Sequence, residues 1–206
     1  MVNYMVKNLY NSKTIQKKPL SIWDGISSIL FIFVLCVFVV FIAFSYTYTA
    51  SEVVGESMLP TFHAGDVVYY RTEKVKHNDI VIVKLNSKDI IKRVIGVGGD
   101  KIEIRLDVNG YYYVYRNNER LNEPYINGIN GNKEKYEEFT MKFGESVVIP
   151  EGHYFVLGDN RANSGDSTVY GLFNSDEVLG VVDYTVKQGN IPLFDLFIQL
   201  FLPIFK

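Results

Sequence analysis

The sequence contains a single cysteine and only three histidines among its 206 residues. Cys36 has no partner within the chain, so no internal disulfide can form. The histidines at positions 63, 77 and 153 are too scattered to suggest a metal-ligand cluster. We therefore predict a domain that folds without disulfides and works with no metal and no other cofactor.

An excess of basic residues is also missing. The chain has 21 Lys and Arg against 23 Asp and Glu. Residues 1–24 contain four lysines and one acid, a net charge of +3, so the remainder carries 17 basic and 22 acidic groups, a net charge of −5. An acidic folded region argues against a nucleic-acid partner. An aromatic content of 15% argues against intrinsic disorder.

Between these two regions, residues 29–44 include no polar side chain. With milder flanks the apolar block covers residues 26–48, about 34 Å as a helix, which is enough for a hydrocarbon core of roughly 30 Å. We predict a transmembrane helix over residues 25–48, with Trp23 as an interfacial anchor. The lysine-rich segment 1–24 should stay in the cytoplasm, so the domain that follows should lie outside.

A cleaved signal peptide is the competing interpretation of this block. Its apolar core usually has about 7–15 residues and is followed by a cleavage site of small residues. The block here is longer, and the sequence SYTYTASEVV that follows offers only a poor site. A retained anchor is therefore favoured.

Beyond the anchor, short β-rich runs alternate with turn residues, which predicts an all-β domain over residues 49–186. The predicted strands are 67–70, 79–84, 90–95, 101–106, 111–115, 146–149, 153–157 and 178–182. Asn109-Gly110 predicts a hairpin turn. Residues 107–145 form a predicted insertion, whose polar part after residue 115 suggests a ribbon and loops.

The tail, residues 187–206, is apolar from position 191 to position 205. As a helix that stretch would be about 22 Å long, too short to span a bilayer comfortably. Two interpretations remain open. The tail lies on the membrane surface as an interfacial helix, or it docks on the domain and completes the core.

Three motifs carry candidate chemistry: GESMLPTF at 55–62, KRVIGVGGD at 92–100 and GDNRANSGDS at 158–167. Lys92 and Arg93 should point to opposite faces of a strand, so one of them must face the core. Burial lowers the pKa of a lysine, and a neutral lysine can act as general base for a serine hydroxyl such as that of Ser57. Each motif alone also has a structural explanation, since turns and tight packing use the same residues.

Together, and in this order after an N-terminal anchor, the three motifs closely resemble those of the type I signal peptidase family, most of all its single-span Gram-positive members. The resemblance implies a signal-peptidase-like β catalytic domain with a smaller insertion. It also implies a membrane-anchored serine endopeptidase that cleaves signal peptides from exported preproteins after small residues. Ser57 matches the nucleophile of the Ser-Lys dyad, and Lys92 matches the general base.

The resemblance implies supporting roles for further residues. Met58 and Pro60 match residues that shape the turn and the substrate pocket. Ser164 matches a serine whose hydroxyl orients the lysine amine. Arg93 and Asp159 match a supporting ion pair, and Asp166 matches another residue that supports the catalytic pair. The implied partners are the signal-peptide region of preproteins, membrane lipid and a nearby secretion translocon, and the implied location is the bacterial cell membrane. Ser57 follows Tyr48 by nine residues, at most about 32 Å of chain, which would hold the nucleophile near a membrane-bound substrate.

The chain departs from the family pattern at three positions. Gly55 stands where some members carry a serine that supplies a second oxyanion donor, and Phe62 stands where leucine is usual. Thr168 replaces the usual arginine, so Asp166 loses that partner, and we predict a looser third motif in an enzyme that still works.

Three alternatives differ in class. The first is a non-cleaving signal-peptidase-like chaperone for the assembly of surface structures; such proteins typically lose the nucleophile or the base, so Ser57 and Lys92 favour an enzyme. A Ser-His-Asp hydrolase would need a histidine motif that the sequence does not show. The related self-cleaving repressors, which also use a Ser-Lys pair, are cytoplasmic, and the anchor argues against them.

Overall fold

A computed structural model describes residues 21–86, 88–126 and 131–189. Its architecture is one apolar helix followed by a largely antiparallel β domain, which confirms the predicted fold class. The chain divides into two compact units with the boundary between Tyr46 and Thr47. The predictions for the first 20 residues and for the apolar tail after residue 189 lie outside the described residues.

The first helix, α1, is Ile22–Thr47, a helix of 26 residues. With 26 residues and a mean hydropathy of 3.1, it is long enough and apolar enough to cross a membrane. It begins before the predicted start because Ser21 and Asp24 cap it. The Ser21 backbone N–H donates to Asp24 Oδ2 at 2.9 Å, and the Trp23 N–H donates to Ser21 Oγ at 3.3 Å.

The β domain contains strands β1 to β11 and two further helices, α2 and α3. The strands are Thr49–Glu52, Val67–Arg71, Ile80–Leu85, Lys88–Val97, Lys101–Leu106, Tyr112–Arg116, Glu119–Arg120, Ser146–Val148, His153–Leu157, Phe173–Asn174 and Val178–Val186; the helices are Lys133–Phe143 and Ser167–Tyr170. All eight predicted strands are confirmed. The strands that the sequence did not predict are short ones, β1, β7 and β10, which have at most four residues each.

The strands form two antiparallel sheets. The larger has the order β1-β2-β11-β3-β4-β9-β10 and the smaller has the order β7-β6-β5-β8. Strand β4 lies between β3 and β9, and residues 92–96 are all buried, so both faces of the strand are covered there. Its register against β9 shifts between Val94 and Gly96. A Cβ on Gly96 would lie 2.5 Å from Ile149 Cδ1, so this glycine allows close packing, as predicted.

The insertion differs from the predicted ribbon and loops because it includes helix α2. Asn132 caps this helix by accepting a hydrogen bond from the Lys135 N–H at 3.1 Å. Phe139 is its one buried residue, and the Phe139 ring packs against Phe155 with centroids 5.9 Å apart. Tyr136 and Phe143 are partly buried and pack against the same core cluster, so the apolar residues of this helix have the helical spacing i, i+3 and i+7. The sequence therefore did contain a short helical signal, which the prediction of a ribbon and loops missed.

Candidate active site

Ser57 lies in the connection between β1 and β2, in a compact turn. The Leu59 N–H donates to Glu56 O at 3.1 Å, and the Phe62 N–H donates to Met58 O at 2.9 Å. The bond between Leu59 and Pro60 is cis. Met58 and Phe62 are buried in a cluster with Val68 and Ile82, so the residues on either side of the turn are anchored in the core.

Lys92 projects from β4 and is only 2% exposed. Its Nζ atom lies 2.7 Å from Ser57 Oγ and also donates to the backbone carbonyl of Ile91 at 2.7 Å. Burial lowers the pKa of Lys92 to about 8, although the charges of Asp166 and Asp159 act in the opposite direction. The amine is therefore neutral in roughly a tenth of the molecules at pH 7 and in about half of them at pH 8.

The sequence required one of Lys92 and Arg93 to face the core, and the structure buries both, with Arg93 at 9% exposure. The reason is that β4 is covered on both faces and Asp159 neutralises the guanidinium. Arg93 Nε donates to Asp159 Oδ1 at 2.8 Å, and Nη2 donates to Oδ2 at 2.6 Å. Thr61 Oγ1 donates to the same carboxylate at 2.5 Å. Asp159 therefore links the turn that carries Ser57, through Thr61, to the strand that carries Lys92, through Arg93.

The third motif holds the nucleophile turn from another side. The Asn160 N–H donates to Ser57 O at 3.0 Å, and Asn160 Nδ2 donates to Glu56 O at 3.1 Å. Gly158 approaches so closely that a Cβ there would lie 2.5 Å from Ser57 O. Sequence reasoning gave Asn160 no role, although it lies within the third motif.

The predicted loosening of the third motif does not appear around Asp166. Its Oδ1 accepts hydrogen bonds from Thr168 Oγ1 at 2.9 Å and from the Thr168 N–H at 3.2 Å. Its Oδ2 accepts the Gly158 N–H at 3.0 Å. Asp166 and Thr168 are both buried. The threonine hydroxyl thus provides a neutral partner for Asp166 where the family pattern has an arginine.

The hydrogen bond expected between Ser164 and the Lys92 amine is not formed. Ser164 Oγ is buried and has no hydrogen-bond partner among the described residues. The Lys92 amine instead contacts Ser57 and the Ile91 carbonyl. Gly158 packs closely against both serines, since a Cβ on Gly158 would lie 2.3 Å from Ser164 Oγ and 2.5 Å from Ser57 O. Ser164 therefore still belongs to the site.

A cleft of about 790 Å³ opens beside Ser57 and Lys92. Residues 51–58 line one part of it and residues 88–92 another, with Ile82 also contributing to the wall. No histidine lines the cleft within the described part of the chain, and no group of three His, Cys, Asp or Glu there is placed to hold a metal ion. The arrangement offers a recess with both polar and apolar walls, a hydroxyl and a buried amine.

The chain is similar to known proteins over most of its length. The family model described as signal peptidase, peptidase S26, matches residues 26–187. Signal peptidase IB of Staphylococcus aureus is 35% identical over 182 residues, which cover 82% of this chain and 90% of that protein. Signal peptidase I S of Bacillus subtilis is 31% identical over 144 residues, covering 66% of this chain and 75% of that protein. The crystal structure of a signal peptidase I from Enterococcus faecalis has 30% sequence identity and a TM-score of 0.43, and the match covers 54% of this chain and 99% of that one.

Proposed function

The chain belongs to the signal peptidase family, peptidase S26, and we propose that it removes signal peptides from exported preproteins through a Ser57–Lys92 dyad. The observation that carries this proposal is the 2.7 Å distance between Lys92 Nζ and Ser57 Oγ. A serine hydroxyl is a weak nucleophile until an adjacent base takes its proton. Burial supplies that base, because it brings the pKa of Lys92 down to about 8.

In the acylation step, Ser57 Oγ attacks the carbonyl carbon of the scissile bond while the neutral amine of Lys92 takes the hydroxyl proton. The tetrahedral oxyanion would accept a hydrogen bond from the backbone N–H of Ser57. Collapse of this intermediate breaks the C–N bond, and Lys92 passes its proton to the leaving amine. The signal peptide remains as an ester on Ser57.

In the deacylation step, Lys92 takes a proton from water as the water oxygen attacks the ester carbon. Ser57 Oγ leaves with the proton from Lys92, and the signal peptide departs with a free carboxyl group. The same amine therefore serves as base and acid in both halves of the reaction. Arg93, Asp159, Asp166 and Ser164 would keep the turn and the strand in register, while Met58 and Pro60 would shape the substrate pocket.

The substrate and location follow from the family and from helix α1. We propose cleavage after small residues in the cleft beside Met58, in preproteins that emerge near a secretion translocon and contact membrane lipid. Helix α1 would serve as a single-pass anchor in a bacterial cell membrane. The lysine-rich N-terminus would face the cytoplasm, which leaves the β domain outside.

The experiment uses the full chain in detergent with a purified preprotein and measures release of the mature protein. Ser57→Ala and Lys92→Ala should abolish cleavage. His153→Ala and Lys84→Ala should cleave like the wild type, because neither side chain lines the cleft. Cleavage that persists in Lys92→Ala would refute the dyad, and a wild type that processes no preprotein would favour the chaperone function.

A further inference from the structure

A buried ion pair that the proposed chemistry does not use connects the insertion to the third motif. Arg161 Nη1 and Nη2 both donate to the Glu123 carboxylate, the first at 3.1 Å. The two side chains are 1% and 6% exposed. Glu123 lies 38 positions earlier in the sequence, in the insertion after β7. Removing two charges from water costs a large free energy unless the two groups are well aligned and hydrogen-bonded to each other. The buried position of this pair therefore depends on the contact between Arg161 and Glu123.

Arg161 also makes a contact within the turn that holds the nucleophile. Its Nε donates to the backbone carbonyl of Gly158 at 3.1 Å. Two residues of the same turn hold the catalytic segment, since the Asn160 N–H donates to Ser57 O at 3.0 Å and Gly158 packs against that same carbonyl oxygen. The guanidinium therefore fixes the turn across its width, and Glu123 fixes the guanidinium.

The insertion contacts the other side of the site through Tyr125. The Arg93 guanidinium lies over the Tyr125 ring at 4.0 Å from its centroid, and the Arg161 guanidinium lies 6.0 Å from the same centroid. The Tyr125 hydroxyl donates to Glu123 Oε1 at 2.9 Å. One short segment of the insertion thus contacts both the arginine next to Lys92 and the arginine that holds the Ser57 turn.

We propose that Glu123 and Arg161 are positioning residues for cleavage, which set the place of Ser57 relative to Lys92 by fixing the 158–161 turn. This inference rests on the proposed function. Neither residue touches the reacting atoms. A displacement of about 1 Å in a catalytic group can cost on the order of 100-fold in rate, so a loosened turn should reduce turnover far more than substrate binding.

The first test compares Glu123→Gln with Glu137→Gln in the full chain. Glu137 belongs to the same insertion but forms only an exposed ion pair with Lys133. We expect kcat to fall about tenfold or more in Glu123→Gln, with KM within about threefold of the wild type, and no change in Glu137→Gln. Rates are given per mole of folded protein, as measured by circular dichroism, so that unfolded molecules do not count.

The second test separates positioning from stability. In Glu123→Leu/Arg161→Met both charges are replaced by apolar side chains, which often preserves or raises the stability of a fold. We expect the urea midpoint of this double variant to match or exceed the wild-type value while kcat is low, because no donor then holds the Gly158 carbonyl. A double variant that recovers wild-type kcat together with the midpoint would overturn the proposal.

A third variant decides the question if those proteins do not fold. Arg161→Lys keeps a positive charge for Glu123 but removes the Nε–H that reaches Gly158. We expect a lower kcat in this variant, and an unchanged kcat in the folded protein would also overturn the proposal. Failure of the proposed function would look different, because wild-type cleavage would then be absent or would survive in Ser57→Ala.

Discussion

The stability of the wild type relative to Lys92→Met should change with pH, because Lys92 is buried as a titrating amine. Its pKa is about 8 in the folded protein and about 10.5 when unfolded. Between these values the unfolded chain binds more protons than the folded one, so the free energy of unfolding of the wild type rises with pH. Below pH 8 the folded protein carries the full cost of the buried charge.

The magnitude follows from the size of the shift. A difference of about 2.5 pKa units corresponds to about 3 kcal/mol at roughly 1.36 kcal/mol per unit. Between pH 6.5 and pH 9.5 the wild type should gain about 2 kcal/mol relative to Lys92→Met. Methionine also leaves the Ile91 carbonyl and Ser57 Oγ without the amine. That loss is independent of pH, so only the change with pH is diagnostic.

The assay is urea unfolding of the full chain in a mild detergent, followed by circular dichroism of the β domain at pH 6.5, 8 and 9.5. Lys84→Met serves as the control, because Lys84 is exposed and should follow the wild type at each pH. If wild type and Lys92→Met differ by a constant amount at all three values, the amine does not titrate near pH 8. The argument for Lys92 as a neutral base would then fail.

Two further predictions concern the rate and the third motif. The rate of acylation should rise with pH and level off above a midpoint near pH 8, because only the neutral amine of Lys92 accepts the proton; a rate that is flat from pH 6 to pH 9 in stopped-flow measurements would contradict this. Thr168→Val should lower the free energy of unfolding by about 1–3 kcal/mol in urea titrations, since it removes the hydroxyl donor from the buried carboxylate of Asp166. A value within error of the wild type would mean that the hydroxyl is not the partner we infer.

Much of the β framework was predictable because strands leave a local pattern. Residues 101–106 alternate between apolar and polar side chains, and the buried positions of β5 alternate in the same way. Residues 80–83 are continuously apolar, and residues 81–83 are all buried, so both faces of β3 are covered. Helix α2 was missed although Tyr136, Phe139 and Phe143 have helical spacing, because this signal has only three apolar residues among charged neighbours.

The candidate site was only partly predictable, because its contacts join distant parts of the chain. The sequence identified Ser57 and Lys92 as candidates, but their separation of 35 residues along the chain does not give the distance between their side chains. The family pattern suggested that Asp166 would lack a partner, whereas a threonine hydroxyl two residues away meets it. No pattern pointed to the pairing of Glu123 with Arg161, since an ion pair between distant segments has no periodicity.

The sequence by itself determined the apolar span, the all-β class and the residues able to supply a nucleophile and a base, because hydrophobicity, alternation and side-chain chemistry are local properties. The tertiary structure alone decided that Lys92 and Arg93 are both buried, that Ser164 does not meet the lysine amine, and that the insertion contacts the third motif. Burial and contact depend on which strands and loops pack together. The lowered pKa of Lys92, on which the proposed chemistry depends, is therefore a property of the fold.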